Sequence, residues 1–547
     1  MSTEIIGKTS ATENNPTSCN TLRFWVNKDA IIRPFDIVKM KHLNASYTYA
    51  IVQDLQYLTD SAGHLANYVS SDFGDLVATP QNERLGTTVA EAEILFNTKE
   101  IEMPLRDGVP VEWADEDGIK EALGLKGFKN PLPAGYISIS NGTEVPIEFE
   151  AAYLLGPEGA HLNIAGISGL ATKTSYAMFL LNSIQQRIGD SVSMVIFNVK
   201  GNDLLAIDEP NEQFNENQKS EWIKCGLEPK PFSNVTYLYP FDNKPHCGYT
   251  RSHIDLSRLA RQKKENRSYN YYYNVEAMKN KFDLLLSDID DPQSTMDSIV
   301  HELQEFDAND WDSLRLQIQE RGKAKSGKSG EISVMSWRKF SRLIRTRTDI
   351  ALFTEKARTQ QNEKRHKLVS EAVKELKSGN ILVIDIEPLP DYIQSLVVGD
   401  VIQTIYSIKL GEEEEISSSN IGKVIVFADE LNKYAPSGKS FESGKALTRN
   451  LIEITERGRS LGVVLFGAEQ FRSGVNDRIL GNCSTNVFGR TSPVEIAKCP
   501  DYKHFPSAYK ATIPRVPQGT LLIQHAVFKT ALIKVKFPYP CYYQPKD

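Results

Sequence analysis

Several short apolar runs alternate with helical patterns in the middle and C-terminal parts of the chain. Continuous apolar, β-branched runs of this length are typical of strands buried on both faces of a parallel sheet. A helical pattern, such as the one that places Ala177, Leu181, Ile184 and Ile188 on one face, precedes or follows each run. The alternation predicts an α/β fold with a parallel, multi-stranded sheet. The runs span residues 162–165, 194–197, 381–386, 424–428 and 463–467.

The patterns also divide the chain into regions. Residues 22–128 contain short alternating runs, with turn residues between them and an acidic helical stretch near 113–125, which predicts a small β-barrel with an appended helix. Residues 130–139 are predicted to be a linker, and residues 519–537 a β-hairpin. The predicted regions are a disordered N-terminus at 1–21, the barrel at 22–128, an α/β core at 129–204 and 379–537, an inserted helical subdomain at 205–378 and a tail at 538–547.

A candidate phosphate-binding loop follows the apolar run at 162–165. In such a loop, glycines let backbone N–H groups turn inward, and the N-terminus of the next helix adds partial positive charge. Lys173 is predicted to reach the β and γ phosphates, and the hydroxyl of Thr174 to bind Mg²⁺. The predicted nucleotide-binding residues are Gly166, Ile167, Ser168, Gly169, Leu170, Ala171, Thr172, Lys173, Thr174 and Ser175.

This loop departs from the standard P-loop, which has glycine directly before the lysine and again six residues before it. Thr172 and Ile167 occupy those two positions here, and Gly166 lies seven residues before the lysine. The loop is therefore one residue longer than the standard one. An ordinary strand-to-helix turn is an alternative interpretation of this segment taken alone.

The apolar run at 424–428 ends in two adjacent carboxylates, Asp429 and Glu430. In open α/β sheets, ligands bind at the edge formed by the carboxyl ends of the strands. Asp429 is therefore predicted to bind Mg²⁺ and Glu430 to polarise the attacking water. Together with the lysine loop, the pair predicts a site for ATP and Mg²⁺, although the same pair could simply cap the helix that follows.

Composition limits the class of protein further. The chain has 547 residues, a net charge of −7 and 40% hydrophobic residues, so it is long enough for two or more domains. Its six cysteines show no CxxC spacing, which argues against a zinc site or a disulfide framework. Without an apolar leader or an apolar stretch of membrane-spanning length, a cytoplasmic protein with no membrane contact is expected.

The order of the motifs resembles the HerA branch of the HerA/FtsK superfamily of hexameric P-loop ATPases. The motifs are GISGLATKT, VKGNDLL, ILVIDI, VIVFADELNKYAP, ITERGRSLGVVLFGAEQ and NCSTNVFGR, and the N-terminal barrel is similar to the one that precedes the ATPase core in HerA proteins. The resemblance implies a RecA-like P-loop ATPase core that assembles as a homo-hexamer with sites between subunits. It also implies action on double-stranded DNA with a partner nuclease or a sirtuin-like, NAD-consuming effector, in DNA processing or antiphage defence.

The resemblance assigns further residues by position. Gln470 matches the residue that senses the γ-phosphate, although a polar residue at a strand end can also satisfy backbone groups. Arg459 matches the arginine that such rings supply to the neighbouring subunit, and its planar fork suits the charge on a transferred phosphate. Arg457 could hold that role instead, either arginine could be structural, and Arg490 is a weaker candidate.

A basic segment from Arg321 to Leu368 is the candidate for DNA contact. It holds fourteen basic and four acidic residues, a net charge of +10 in a chain of −7. Such a strip, repeated around a ring, would surround a duplex with positive charge. A solvated helix face is the alternative. A run of tyrosines could stack on bases, although packing within the subdomain or a subunit contact is expected for it. These tyrosines are Tyr269, Tyr271, Tyr272 and Tyr273. The predicted DNA-binding residues are Lys325, Lys328, Arg338, Lys339, Arg342 and Arg345.

Two functions are compatible with these patterns. One is an ATP-hydrolysing DNA translocase of the HerA type. The other is a ring scaffold that uses nucleotide as a structural ligand and activates an effector without moving DNA. The sequence does not distinguish ATP from GTP.

Overall fold

A computed structural model describes most of the chain. It covers residues 4–70, 72–74, 77, 85–167, 172–289, 295–325, 327–355, 365–413, 417, 420–438 and 446–545.

The N-terminal region is a closed antiparallel barrel with the strand order β1-β2-β5-β4-β3-β6. Alternate residues of each strand point inward, so Phe24, Val38 and Val52 fill its core. The barrel confirms the expectation for this region. Its strands are β1 (Ile5–Thr9), β2 (Thr21–Val26), β3 (Ile37–Lys41), β4 (Tyr47–Thr59), β5 (Gly86–Asn97) and β6 (Pro110–Trp113).

The predicted disorder of residues 1–21 is wrong, because β1 lies within that range. This strand pairs with both β2 and β6 and closes the barrel. Its side chains at Ile6 and Thr9 are buried. Only five residues long, the strand is stabilised by pairing with distant segments, which local polarity does not reveal.

The barrel packs directly on the rest of the molecule. The rings of Phe35 and Tyr509 are stacked with their centroids 4.4 Å apart. The buried carboxylate of Asp36 accepts a hydrogen bond from the backbone N–H of Ser140 at 3.0 Å. The barrel therefore lies against the core through both apolar and polar contacts.

The other strands, apart from one short hairpin, form a 13-stranded sheet in the described part of the chain. Its order is β15-β12-β11-β16-β10-β17-β18-β9-β19-β20-β21-β7-β8. The strands are β7 (Pro131–Ser138), β8 (Glu144–Glu150), β9 (Leu162–Ala165), β10 (Val192–Asn198), β11 (Val235–Pro240), β12 (Ser268–Tyr272), β13 (Lys328–Ser329), β14 (Ile332–Ser333), β15 (His366–Leu368), β16 (Ile381–Asp385), β17 (Lys423–Asp429), β18 (Val463–Glu469), β19 (Thr485–Phe488), β20 (Thr520–His525) and β21 (Ile533–Lys536).

From β15 to β19 in this order, the neighbouring strands are parallel. The five predicted apolar runs lie in β9, β10, β16, β17 and β18, as expected. Along β17, alternate residues enter two different hydrophobic clusters, Val424 and Val426 in one and Ile425 and Phe427 in the other. The strand is therefore buried on both faces, which explains its unbroken apolar sequence.

Helices cover both faces of this sheet. The α-helices within the described residues are α1 (His64–Ser70), α2 (Glu116–Leu123), α3 (Ala151–Leu154), α4 (Thr172–Ile188), α5 (Glu216–Lys224), α6 (Leu256–Lys264), α7 (Val275–Met278), α8 (Phe282–Leu285), α9 (Thr295–Gln304), α10 (Trp311–Arg321), α11 (Val334–Arg347), α12 (Val369–Lys374), α13 (Asp391–Leu410), α14 (Leu431–Tyr434), α15 (Ala446–Leu461), α16 (Asp477–Gly481), α17 (Pro493–Lys498) and α18 (Ser507–Thr512). Among them, none is both long and apolar enough to cross a lipid bilayer.

Three predicted boundaries are corrected by the sheet. The expected linker at 130–139 is strand β7, which pairs with β8 despite its prolines. The region 205–378 is not purely helical, since β11, β12 and β15 extend the parallel sheet beyond β16. The C-terminal segment is not a free tail, because Tyr542 is buried and forms a bridge with Pro210.

Candidate functional site

The carboxyl ends of four central strands meet at one edge of the sheet. Strand β9 leads to the lysine loop, β10 to Lys200, β17 to the acidic pair and β18 to Glu469. Because β18 lies between β9 and β17, both halves of the predicted nucleotide site border the same strand. This edge is where open α/β sheets bind ligands.

Lys173 lies in the first turn of α4 and is the central cation of the site. Only 5% of the residue is exposed, and its ammonium has no hydrogen-bond partner among the described residues. Burial lowers the pKa of this lysine, while the carboxylate of Asp429 acts in the opposite direction. An unpaired buried ammonium is costly, so the position calls for an anionic partner.

Thr174 and Asp429 form the candidate Mg²⁺ site. The hydroxyl of Thr174 donates to a carboxylate oxygen of Asp429 at 3.0 Å, which joins helix α4 to the end of β17. A hydroxyl and a carboxylate are the hard oxygen ligands that Mg²⁺ accepts beside phosphate oxygens. The residues therefore fit the metal, which would neutralise phosphate charge when bound.

Glu430 follows Asp429 with a left-handed backbone, at φ 58°. Its carboxylate is paired with Lys200 and, at 2.8 Å, with Lys433. Burial favours the neutral acid, but hydrogen bonds from the two lysines outweigh it and hold the pKa of Glu430 below its usual value. The group is therefore ionised at neutral pH.

Several predicted residues line a cavity in front of Lys173. Ile167, Thr172, Lys173, Thr174 and Asp429 all lie in its wall. Lys200 and Asp203 lie there as well. The structure thus brings together residues that are some 250 positions apart in the sequence.

The lysine loop itself is described only at its ends. The backbone N–H of Gly166 donates to the carbonyl of Glu469 at 3.1 Å, and that of Ile167 donates to the carbonyl of Arg490 at 2.8 Å. Thr172 begins α4, and Ser175 is buried one residue beyond Thr174. The predicted nucleotide-binding residues Ser168, Gly169, Leu170 and Ala171 lie outside the described residues.

A buried polar chain behind the site was missed at the sequence level. The amide of Asn163 donates to Glu469 at 2.9 Å, and the oxygen of Asn163 accepts from Arg472. Arg472 also donates to Asn486 at 2.8 Å and to Asp501 at 2.6 Å. Burial raises the pKa of Glu469 to about 8, more than Arg472, Asn163 and Lys173 lower it.

Two of the apolar runs in the sequence contain or end in a polar residue that indicates this buried polar chain. Asn163 interrupts the short strand β9, and Glu469 ends the apolar run of β18. Polar residues inside fully buried strands need partners. Glu469, which directly precedes the predicted Gln470, is the residue buried at this strand end.

The roles of Gln470 and the arginines stay predictions. Gln470 is half-buried and is not among the described residues that line the cavity. Arg457 pairs with Glu453 at 3.2 Å, and Arg459 donates to the carbonyl of Glu158 at 3.1 Å. Both arginines end helix α15, which leads into the start of β18, so they lie at the sheet edge opposite to Lys173.

The fold is that of the RecA-like P-loop class. Without the strands added beyond β10 on one side and beyond β19 on the other, the sheet order is β19-β9-β18-β17-β10, or 5-1-4-3-2 along the chain, which is the RecA-like order. The lysine follows the first strand, and the acidic pair ends the third.

Comparisons with known proteins give only distant likenesses. No protein-family model and no curated protein matches the chain. Among solved structures, VirB4 of Thermoanaerobacter pseudethanolicus is similar at 12% identity and a TM-score of 0.42, over 75% of this chain and 96% of that one. The plasmid coupling protein TrwB with the ATP analogue ADPNP is similar at 15% identity and 0.37, over 69% and 85%. The genome packaging NTPase B204 from Sulfolobus turreted icosahedral virus 2 with ATP-gammaS is similar at 12% and 0.21, over 31% and 71%.

Proposed function

We propose that this protein is an ATP-hydrolysing, Mg²⁺-dependent motor of the HerA type that acts on double-stranded DNA. In this proposal, Lys173 binds the β and γ phosphates, while Thr174 and Asp429 hold Mg²⁺. Glu430 accepts the proton of the attacking water. Gln470 senses the γ-phosphate, and Arg459 or Arg457 reaches the site of the neighbouring subunit.

The observation that carries the proposal is the buried ammonium of Lys173. It has no hydrogen-bond partner among the described residues and lies next to the Thr174–Asp429 pair. A triphosphate with its metal would satisfy the ammonium, the hydroxyl and the carboxylate together. An ordinary strand-to-helix turn gives no reason for an unpaired lysine at this position.

The test compares nucleotide binding and phosphate release in two variants. Lys173→Ala is expected to lose both, because the phosphate ligand is removed. Glu430→Gln is expected to keep binding and to lose about 100-fold or more in turnover, since only the general base is changed. Lys120→Ala in helix α2, which does not line the cavity, is the matched control and should behave as the unchanged protein. Full turnover in Glu430→Gln would contradict the assignment of the base.

The candidate DNA-binding surface is the exposed face of α11. Arg338, Arg342 and Arg345 are spaced by four and three residues, so they share one helical face, and Lys339 lies beside them. All four are exposed, and within the described residues none of them forms an ion pair. The opposite face of α11 is buried through apolar residues such as Trp337. Arg338 donates through Nε to the carbonyl of Gly322 at 2.8 Å, and Arg342 to that of Arg338 at 3.4 Å. A helix with exposed guanidinium groups on one side favours contact with phosphates.

Other members of the basic segment are less suited to DNA. Arg347 is buried and donates to Asp288 at 2.7 Å, while Arg321 pairs with Glu302 at 3.5 Å. Lys325 and Lys328 are exposed between α10 and α11 and remain candidates. Tyr271 and Tyr273 are buried, which agrees with packing within the subdomain.

The DNA test replaces Arg338, Arg342 and Arg345 with alanine. Duplex binding should weaken, and the slope of log affinity against log salt should fall by about 3, because three phosphate contacts are lost. A variant that removes the same charge elsewhere, at Lys120, Lys126 and Lys219, is the control. An unchanged slope in the α11 variant would exclude this face from the interface.

Assembly and partners are part of the same proposal. A homo-hexamer would place Arg459 or Arg457 of one subunit at the site of the next. A nuclease or a sirtuin-like effector would act with the ring in DNA processing or antiphage defence. Measuring the mass of the purified protein with and without ATP, followed by DNA-stimulated phosphate release, tests the ring.

The second candidate is a ring scaffold that binds nucleotide without moving DNA. It is favoured by the ion pairs that Lys200 and Lys433 form with Glu430, because they occupy the carboxylate that a motor would use as its general base. For a scaffold, Glu430→Gln would retain assembly and effector activation. For a motor, the same variant would lose biological activity with its turnover.

A further inference from the structure

A second cavity lies next to the candidate phosphate site. Thr172 lines both cavities, whereas Lys173 and Thr174 line only the first and Ser175 only the second. Helix α4 therefore has the phosphate-binding residues on one side of Thr172 and an open cavity on the other. The described residues in the second cavity's wall are Tyr136, Thr172, Ser175, Gln218, Glu221, Pro517, Gln518, Gly519, Thr520, Lys536, Phe537, Pro538, Tyr539, Pro540 and Gln544.

The wall of this cavity combines flat apolar groups with side-chain amides. Tyr539 is 40% exposed, so much of its side chain is open to a ligand. Pro538 and Pro540 flank it in the sequence. Gln518 and Gln544 carry amides that both donate and accept hydrogen bonds, as the edge of a nucleobase requires. An aromatic ring beside such amides is suited to an aromatic, hydrogen-bonding ligand.

The C-terminal segment that carries Tyr539 is fixed by several hydrogen bonds. The indole of Trp222 donates to the carbonyl of Tyr539 at 2.8 Å, and the amide of Asn211 donates to the carbonyl of Pro540 at 3.0 Å. The backbone N–H of Tyr543 donates to the carbonyl of Glu209 at 2.8 Å. The segment is thus held against the core by its backbone, which leaves the ring of Tyr539 available.

We propose that this cavity receives the base and ribose of the nucleoside triphosphate, with the ring of Tyr539 stacking on the base. The inference rests on the proposed function, because it assumes that the triphosphate binds at Lys173. A chain of phosphates that begins there and passes Thr172 enters the second cavity at Ser175. Gln518 and Gln544 then contact the edge of the base, so the C-terminal segment determines nucleotide specificity.

The test measures the affinities of two ligands with Mg²⁺ by calorimetry. One is the non-hydrolysable analogue AMPPNP, which has a base, and the other is inorganic tripolyphosphate, which has none. Tyr539→Ala should weaken AMPPNP binding about tenfold through the loss of stacking and leave tripolyphosphate binding unchanged. Tyr57→Ala, which removes another exposed tyrosine far away in the barrel, is the matched control. Retained tripolyphosphate binding also shows that the variant is folded.

A covalent label gives an independent readout. On irradiation, 8-azido-ATP should attach to peptides that contain residues 517–520 or 536–545, as identified by mass spectrometry. Labelling confined to other peptides would overturn the inference, as would AMPPNP binding by Tyr539→Ala that equals the unchanged protein.

The outcomes separate this inference from the proposed function. If the unchanged protein binds tripolyphosphate and AMPPNP equally well, the phosphate site stands and the base site is refuted. The base site is also refuted, and the phosphate site stands, if Lys173→Ala loses binding of both ligands while Tyr539→Ala retains binding of both. If the unchanged protein binds neither ligand, the proposed function fails and the inference fails with it.

Discussion

Replacing Glu469 with glutamine tests the electrostatics of the site most directly. Glu469 is fully buried at the end of β18, and one of its oxygens accepts from Asn163 at 2.9 Å. The other oxygen has no partner among the described residues. Glutamine keeps the size of the side chain and the acceptor for Asn163, and removes only the ability to ionise.

The expected change in the free energy of unfolding follows from the pKa of Glu469, which burial raises from 4.5 to about 8. In the unfolded chain, this group ionises near its ordinary value, so between the two pKa values the folded protein holds one more proton than the unfolded one. The stability that this group provides is therefore greatest below pH 4.5 and falls as pH rises toward 8, by about 1.4 kcal/mol per pH unit. At pH 7, the accumulated cost is on the order of 3 kcal/mol.

Glu469→Gln should therefore stabilise the protein more at pH 8 than at pH 6. The expected change in the difference between variant and unchanged protein is roughly 2 to 3 kcal/mol over that interval. Thermal and urea unfolding at both pH values, without nucleotide, measure it. Glu102→Gln, which makes the same change at an exposed carboxylate, is the control. A difference that does not change with pH would refute the buried, protonated state of Glu469.

Three further predictions concern the buried polar chain at Arg472, the proposed general base Glu430 and the packing of the barrel. Arg472→Met should destabilise the protein by about 3 to 5 kcal/mol in urea unfolding, because it leaves buried partners without their donor. Lys200→Ala should raise the pKa of Glu430, so the acid limb of the pH dependence of phosphate release should move to higher pH. Phe35→Ala should cost about 3 kcal/mol by removing the ring stacked on Tyr509, and hydrogen exchange in helix α18 should increase.

The central sheet could be predicted because its strands are buried on both faces. Such strands must be apolar at every position, so the runs in β10, β16 and β17 stand out from the sequence around them. The added strands do not stand out in this way. β12 is formed by SYNYY, and β15 has only three residues, so their stability depends on pairing with distant strands.

The segments at the two ends of the chain were misjudged for the same reason. β1 holds its place by pairing with β2 and β6, and the C-terminal segment by backbone hydrogen bonds to residues near 210. Neither has a long periodic pattern. The polarity of a segment indicates only how much apolar surface that segment can bury. These two segments are ordered by contacts with residues that lie far away in the sequence.

The part of the candidate site that could be predicted consists of charged residues that follow buried strands. Lys173, Asp429 and Glu430 could be placed near one another from the sequence, because each follows a buried apolar strand. In open α/β sheets, ligands bind at the edge formed by the carboxyl ends of such strands. The Glu469–Asn163–Arg472 chain could not be assembled in this way, since its members come from different strands and only the sheet order brings them together. Because the carbonyl of Glu469 accepts a hydrogen bond from Gly166, this buried polar chain connects the lysine loop with Asp501 at the surface. The residues that support a nucleotide site are therefore harder to predict than those that contact the nucleotide, because their partners are defined by topology and not by sequence spacing.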